Sequence, residues 1–291
     1  MENLIKRPYA INGLDRISNK TTSPFASRPN EYIVHCDYPE RTTYISQYTI
    51  SDIQKQVLES LEELMFATSK MIIAKLEKNK VEPSKVKNAL DSLFNGKYIH
   101  KIKFCNKDCD SESSYRVYFI NKKRGGPLFR SVFGRFARRL TFAESINEPA
   151  TIKKYLSINQ FLLNIEATPF LERGQVIEKK GFLNKFLLRI TGSAKNGNDL
   201  LFFEAMRRSD NAKALIEKAE RYNKFLRSPF KNVTPEIEGD SVALVAICED
   251  AEHVEEMRKF LRKTYRGVNV TFTYDTAIFD SSDCVELEQA S

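Results

Sequence analysis

Ser51 to Phe119 reads SDIQKQVLES LEELMFATSK MIIAKLEKNK VEPSKVKNAL DSLFNGKYIH KIKFCNKDCD SESSYRVYF, and the period of its apolar residues changes once. Ile53, Val57, Leu58, Leu61, Leu64 and Met65 recur at spacings of three and four, one stripe on a helix that Ser51 is placed to cap. A second helix opens at Thr68 or Ser69 and carries Met71, Ile72, Ile73 and Leu76. Pro83 suits the first turn of a third helix, with Ser84 as its cap. There Val86, Ala89, Leu90 and Leu93 turn inward, and Asn95-Gly96 ends the helix as a left-handed cap would. Beyond Gly96 the spacing alternates. Tyr98, Ile99, Ile102 and Phe104 read as one strand, Tyr115, Val117 and Phe119 as its partner, and Asn106 to Ser111 as the turn between them.

Three helices followed by a two-stranded hairpin is the element order of a winged helix-turn-helix, expected here over residues 46–121. In such a module the third helix enters the major groove with its N-terminal half nearest the bases. Lys85, Lys87 and Asn88 are then the candidate base or phosphate contacts, and Ser84 a phosphate donor. The wing carries Asp108, Asp110 and Glu112, which repel phosphate, so its tip is expected to stay off the backbone.

Charge supports the same assignment. Residues 84–139 hold fourteen Lys and Arg against four Asp and Glu, a net +10, whereas the whole chain carries +8 and residues 140–291 carry −2. Cations concentrated in one segment point to a polyanion bound there, and double-stranded DNA is the densest common one. Lys122, Lys123 and Arg124 precede a Gly125-Gly126-Pro127 break. Phe129 to Leu140 then interleaves Arg130, Arg135, Arg138 and Arg139 with Phe129, Val132, Phe133 and Phe136. On one continuous helix the aromatic residues fall together and the arginines oppose them, a basic joint over residues 122–165 suited to bidentate phosphate capture.

From about Thr151 the pattern is α/β. A helical run from Ile152 to Ile165 leads to strand-like pieces at Gln175–Ile177 and Phe186–Ile190, then a turn from Gly192 to Asn198. Leu200 to Phe203, Val242 to Cys248 and Val268 to Thr273 are strands of buried length, separated by helices at Lys213–Leu226 and Ala251–Thr264. This order, together with Leu200-Leu201-Phe202-Phe203-Glu204-Ala205-Met206-Arg207-Arg208 running into Lys213, Lys218 and Arg221-Tyr222, resembles the replication-relaxation family of plasmids and conjugative elements. The resemblance spans roughly residues 50 to 275. It implies a restriction-endonuclease-like mixed-sheet domain over 166–279, with Asp199, Glu204, Arg207 and Lys218 as a vestigial nuclease site. Nucleases of that fold follow the strand carboxylate with Glu-x-Lys, yet Met206 stands where the lysine belongs. Glu204 is therefore read as a carboxylate paired with Arg207, Lys218 or Arg221.

Other chemistry is thin. His35, His100 and His253 lie far apart in sequence, Cys105 and Cys109 lack two further ligands, and no phosphate-cradling Gly-rich motif occurs, so no metal or cofactor is expected. Five cysteines without framework spacing suit a reducing cytoplasm, and no apolar run reaches membrane-spanning length. Residues 1–45 read as a flexible arm and 280–291 as an acidic disordered tail. The expectation is an α+β, α/β chain, a non-enzymatic cytoplasmic DNA-binding protein serving replication, relaxation or transcription of a mobile element. Its partners would be duplex DNA, a second copy of itself, or a relaxase, replication or transcription protein. The rival readings are a metal-dependent nuclease with a rearranged Glu-x-Lys site and an adaptor in a DNA-processing assembly.

Overall fold

The computed structural model describes residues 23–42, 44–108, 111–113, 115–164, 176–180, 185–189, 192–196, 199–227, 241–264, 270–275 and 288–289. Contacts divide the chain into Ser27–Asn159 and a second unit composed of Met1–Ala26 with Gln160–Ser291. The protein is mixed α/β, with an antiparallel sheet in the first unit and a sheet built on parallel strands in the second.

The first unit runs β1 (Glu31–His35), α1 (Asp52–Leu64), β2 (Ala67–Thr68), α2 (Ser69–Glu77), α3 (Pro83–Asn95), β3 (Ile99–Asn106), β4 (Ser111–Glu112), β5 (Val117–Ile120), α4 (Gly125–Phe133), α5 (Leu140–Ser145) and α6 (Pro149–Asn164), the last crossing the division. A capping box starts α1: Ser51 Oγ accepts from the Gln54 amide at 3.2 Å and Gln54 Oε1 accepts from the Ser51 amide at 2.9 Å. Its stripe Val57, Leu58, Leu61 and Leu64 is buried. Met65, at φ 62°, turns the chain out of the helix, and Ala67 and Thr68 pair at once with Tyr118 and Val117. Thr68 then caps α2 through its hydroxyl, 3.3 Å from the Met71 amide. The sheet order is β1-β3-β5-β2, every pair antiparallel, with β4 also on β3. Ile99, Ile102 and Phe104 of β3 and Val117 and Phe119 of β5 close the core over the helices.

Local details differ from the sequence reading. Pro83 takes the first turn of α3 with Glu82 before it, so Ser84 lies inside the helix and makes no cap bond. Gly96 is right-handed (φ −77°), and Lys97 adopts the left-handed position instead, at φ 62°. The Lys97 amide donates to the Phe94 carbonyl at 2.8 Å and the Tyr98 amide to the Leu93 carbonyl at 2.9 Å, a Schellman ending with a lysine where glycine is usual. The expected arm is not all arm. Glu31–His35 forms β1 on the outer edge of β3, Glu31 opposite Asn106 and His35 opposite Ile102, which covers a strand edge otherwise left open. Residues 1–22 of that arm lie outside the described residues.

The joint is also not a free segment, since the division places it with the first unit as far as Asn159. A Cβ at Gly125 would sit 2.0 Å from the Tyr98 carbonyl oxygen, so the start of α4 presses directly on the strand entry. Gly134 (φ 67°) ends α4 at Phe133, and the continuous helix expected to Leu140 breaks there. Phe136 therefore leaves the apolar seam and stands 68% exposed. From α6, Asn159 Nδ2 donates to the Leu64 and Phe66 carbonyls, and Lys153 makes a buried 2.6 Å pair with Glu31 of β1.

In the second unit β6 (Val176–Lys180) and β7 (Lys185–Arg189) form a hairpin. The main sheet is built from β8 (Ser193–Asn196), β9 (Asp199–Ala205), α7 (Ala212–Arg227), β10 (Ser241–Cys248), α8 (Ala251–Thr264), β11 (Val270–Tyr274) and β12 (Glu288–Gln289). Its order is β12-β11-β10-β9-β8, with β9, β10 and β11 parallel and the two edges antiparallel. Residues 193–196, read from sequence as a turn, are the edge strand β8. The tail, read as free from Asp280, returns at Glu288–Gln289 to pair with β11. Glu204 meets Lys218 of α7, and Arg258 of α8 lies over Phe272, so both crossover helices cover one face. Phe161 packs against Phe203 on the other. Burial from both sides explains why these strands are continuous apolar runs.

Candidate nucleic-acid interface

The outward side of α3 carries what the sequence assigned to it. Ser84, Lys85, Lys87 and Asn88 are exposed, while Val86, Ala89, Leu90 and Leu93 are at most 5% exposed. Lys85 meets Glu82 at 3.4 Å with both side chains more than half exposed, an attachment that water and salt weaken. Lys87 has no carboxylate partner among the described residues.

The joint cations are aimed by backbone bonding rather than by helix phase. Asn121, nearly buried, accepts at Oδ1 from the Lys123 amide (2.8 Å) and the Arg124 amide (3.3 Å), while Glu144 Oε1 holds the Lys122 amide at 2.7 Å. Lys122, Lys123 and Arg124 are thereby turned to solvent, and Arg124 Nη1 reaches the Gly96 carbonyl at the end of α3, 3.3 Å away. Arg130 is exposed, its guanidinium 4.3 Å from the Phe136 ring centre. Arg135 is held by protein contacts: it pairs with Glu62 of α1 at 3.2 Å and stacks on buried Phe129. Arg138 is exposed, with its amide 3.3 Å from Glu62 Oε1. Arg139 is half-buried at φ 62°; burial draws its guanidinium below the usual value, with the Glu62 charge opposing. The set therefore divides into free cations and fastened ones.

The acids between β3 and β5 are partly absorbed. Glu112 bonds Lys103 and, at 2.8 Å, Arg116; the Lys103 and Arg116 contacts hold its carboxyl below the ordinary value. Asp108 accepts from Asn30 at 3.0 Å, and Asp110 lies outside the described residues. His35 and His100, distant in sequence, meet edge-on at 5.6 Å because β1 lies beside β3. His100 bonds Tyr38 and Glu144, and burial lowers its pKa.

The proposed nuclease remnant does not assemble. Glu204 and Lys218 come together at 2.5 Å, but Arg207 follows Phe203 and Ala205 onto the opposite face and pairs with Asp275. Asp199 starts β9, five residues from Glu204, about 16 Å along an extended strand. Among the described residues no group of His, Cys, Asp and Glu is arranged to hold a metal ion, and no helix is long and apolar enough to cross a membrane.

The sequence reading missed Glu62, Glu144 and Asp275, acids whose partners lie 22 to 252 residues away, for which the chain carries no local signal. Asn121 did carry one, since an Asn before a basic run is an Asx-turn residue. Comparison with models of known protein families, with curated proteins and with solved structures finds no match.

Proposed function

We propose that residues 46–121 form a winged helix-turn-helix that binds double-stranded DNA, α3 in the major groove and the joint cations on flanking phosphates. The observation that carries the reading is an arrangement. Strand β2 leaves α1 and pairs with β5 beside β3, and the N-terminal polar residues of α3 face outward. Ser84, Lys85, Lys87 and Asn88 are these residues, and Lys122 and Lys123, which have no carboxylate partner among the described residues, adjoin Arg124, which touches the end of the same helix. Such a surface matches a base edge with Asn88 and phosphates with lysine. The role is non-enzymatic, in the replication, relaxation or transcription of a mobile element, within the cytoplasm. The second unit serves as a platform.

A gel shift with selected and random duplexes tests this. Asn88→Ala should erase preference among duplexes at a cost of about 1–3 kcal/mol on the preferred site, whereas Lys123→Ala should weaken all duplexes alike. Retention unchanged by both substitutions would contradict the assignment.

A further inference from the structure

The break in α4 leaves an open cavity of about 860 Å³ between α4 and α5. Its lining includes Lys122, Arg130 and Arg139, the rings of Phe136 and Phe142, and no acidic residue. A volume of that size suits a small organic ligand, and a lining with three cations and no acidic residue selects an anion, with the Glu62 charge acting on Arg139 from outside that lining. The aromatic content selects further. Phe136 is the one phenylalanine among the strongly exposed apolar residues described, and the others are tyrosines that keep a hydroxyl in water. Arg130 covers one side of its ring, and no other ring among the described residues stacks on it. Arg139 is fixed by its left-handed backbone at the start of α5, and its partial burial leaves it less hydrated than a surface arginine. A planar face and a cationic lining together match a phosphate joined to a flat heterocycle.

We propose that this cavity takes one nucleotide, its phosphate among Lys122, Arg130 and Arg139 and its base against Phe136. The inference goes beyond duplex recognition by α3, and it shares Lys122 and Arg130 with the cations placed on flanking phosphates. The nucleotide could come free from solution or as an unpaired residue at the end of a bound strand; the chemistry is shared.

The test uses the full chain and three fluorescent probes: 2-aminopurine riboside 5′-monophosphate, a duplex with one unpaired terminal 2-aminopurine, and a blunt duplex with 2-aminopurine paired inside. Saturable quenching is expected with the first or second probe and not the third. Phe136→Ser should weaken it by about fivefold or more, the worth of one base stacked on an aromatic ring. Arg130→Ala should weaken it by about tenfold, the worth of one hydrogen bond to a charged group. Quenching in the monophosphate arm identifies a free nucleotide as the source, and quenching confined to the overhang arm identifies a strand end. No change in either arm, or quenching that survives both substitutions, overturns the proposal. Blunt-duplex retention by Phe136→Ser protein, read in parallel by gel shift, should match the parent, so that failure here is distinct from failure of α3 to bind DNA.

Discussion

Arg207 is wholly buried, and its only hydrogen-bond partner among the described residues for the guanidinium is Asp275, which also accepts from Ser23. Nε and Nη2 have no partner among the described residues. A buried pair of this kind stabilises little as a whole but is costly to halve. Arg207→Met should lower unfolding free energy by about 3–5 kcal/mol, and adding Asp275→Leu should restore most of it, as a urea titration would read. His100 gives a pH dependence. Burial lowers its folded pKa below 6.5, against the opposing Glu144 bond, and burial lowers His253 likewise. The unfolded chain then binds more protons just beneath pH 6.5, so stability is full above that value and falls as pH drops through it. The urea midpoint should be lower at pH 5.5 than at pH 7.5, and His100→Gln should narrow the gap. At this scale the sequence was informative where a side chain answers to its own helix, as at Val86 and Lys87. It was silent where the partner is remote, as with Glu62 and Arg135.

Elements were legible in proportion to the length of their pattern. The stripes of α1 and α3 extend over three turns, and both helices form where that spacing places them. Strand β2 is two residues long and has no period to read, yet it joins α1 to the sheet. Strand β1 was hidden because Ser, Asn and Pro surround EYIVH, and its pairing is decided by the open edge of β3. The helix from Phe129 was extended too far because a 3.6 period continues on paper through Gly134, whereas a glycine free to adopt φ 67° ends it. The ending of α3 yields a prediction of its own. Lys97 holds a left-handed backbone that costs an L-residue about 1–2 kcal/mol relative to glycine. Lys97→Gly should raise unfolding free energy by about 1 kcal/mol, and a lowered midpoint would show that the lysine's contact over Tyr38 matters more.

Across the whole molecule, charge and topology separate. The first unit holds the cation excess, and the second is a parallel-stranded sheet whose strand-end acids are occupied by Lys218, Arg207 and Arg208. The α/β class of the second half was visible in its buried runs. The antiparallel edges were not, since β8 and β12 are short and polar. Among the cations of the first unit, Lys87, Lys122, Lys123 and Arg130 are exposed and have no carboxylate partner among the described residues. If these four neutralise phosphates, log affinity for duplex should fall with log salt at a slope of about −3.6, and Lys122→Ala with Lys123→Ala should reduce its size by about 1.8. Fluorescence anisotropy of a blunt duplex, titrated across a range of salt concentrations with the parent and the doubly substituted protein, measures both slopes. A steep parent slope made shallower by the two substitutions is the result expected; an affinity indifferent to salt and to both lysines would contradict it.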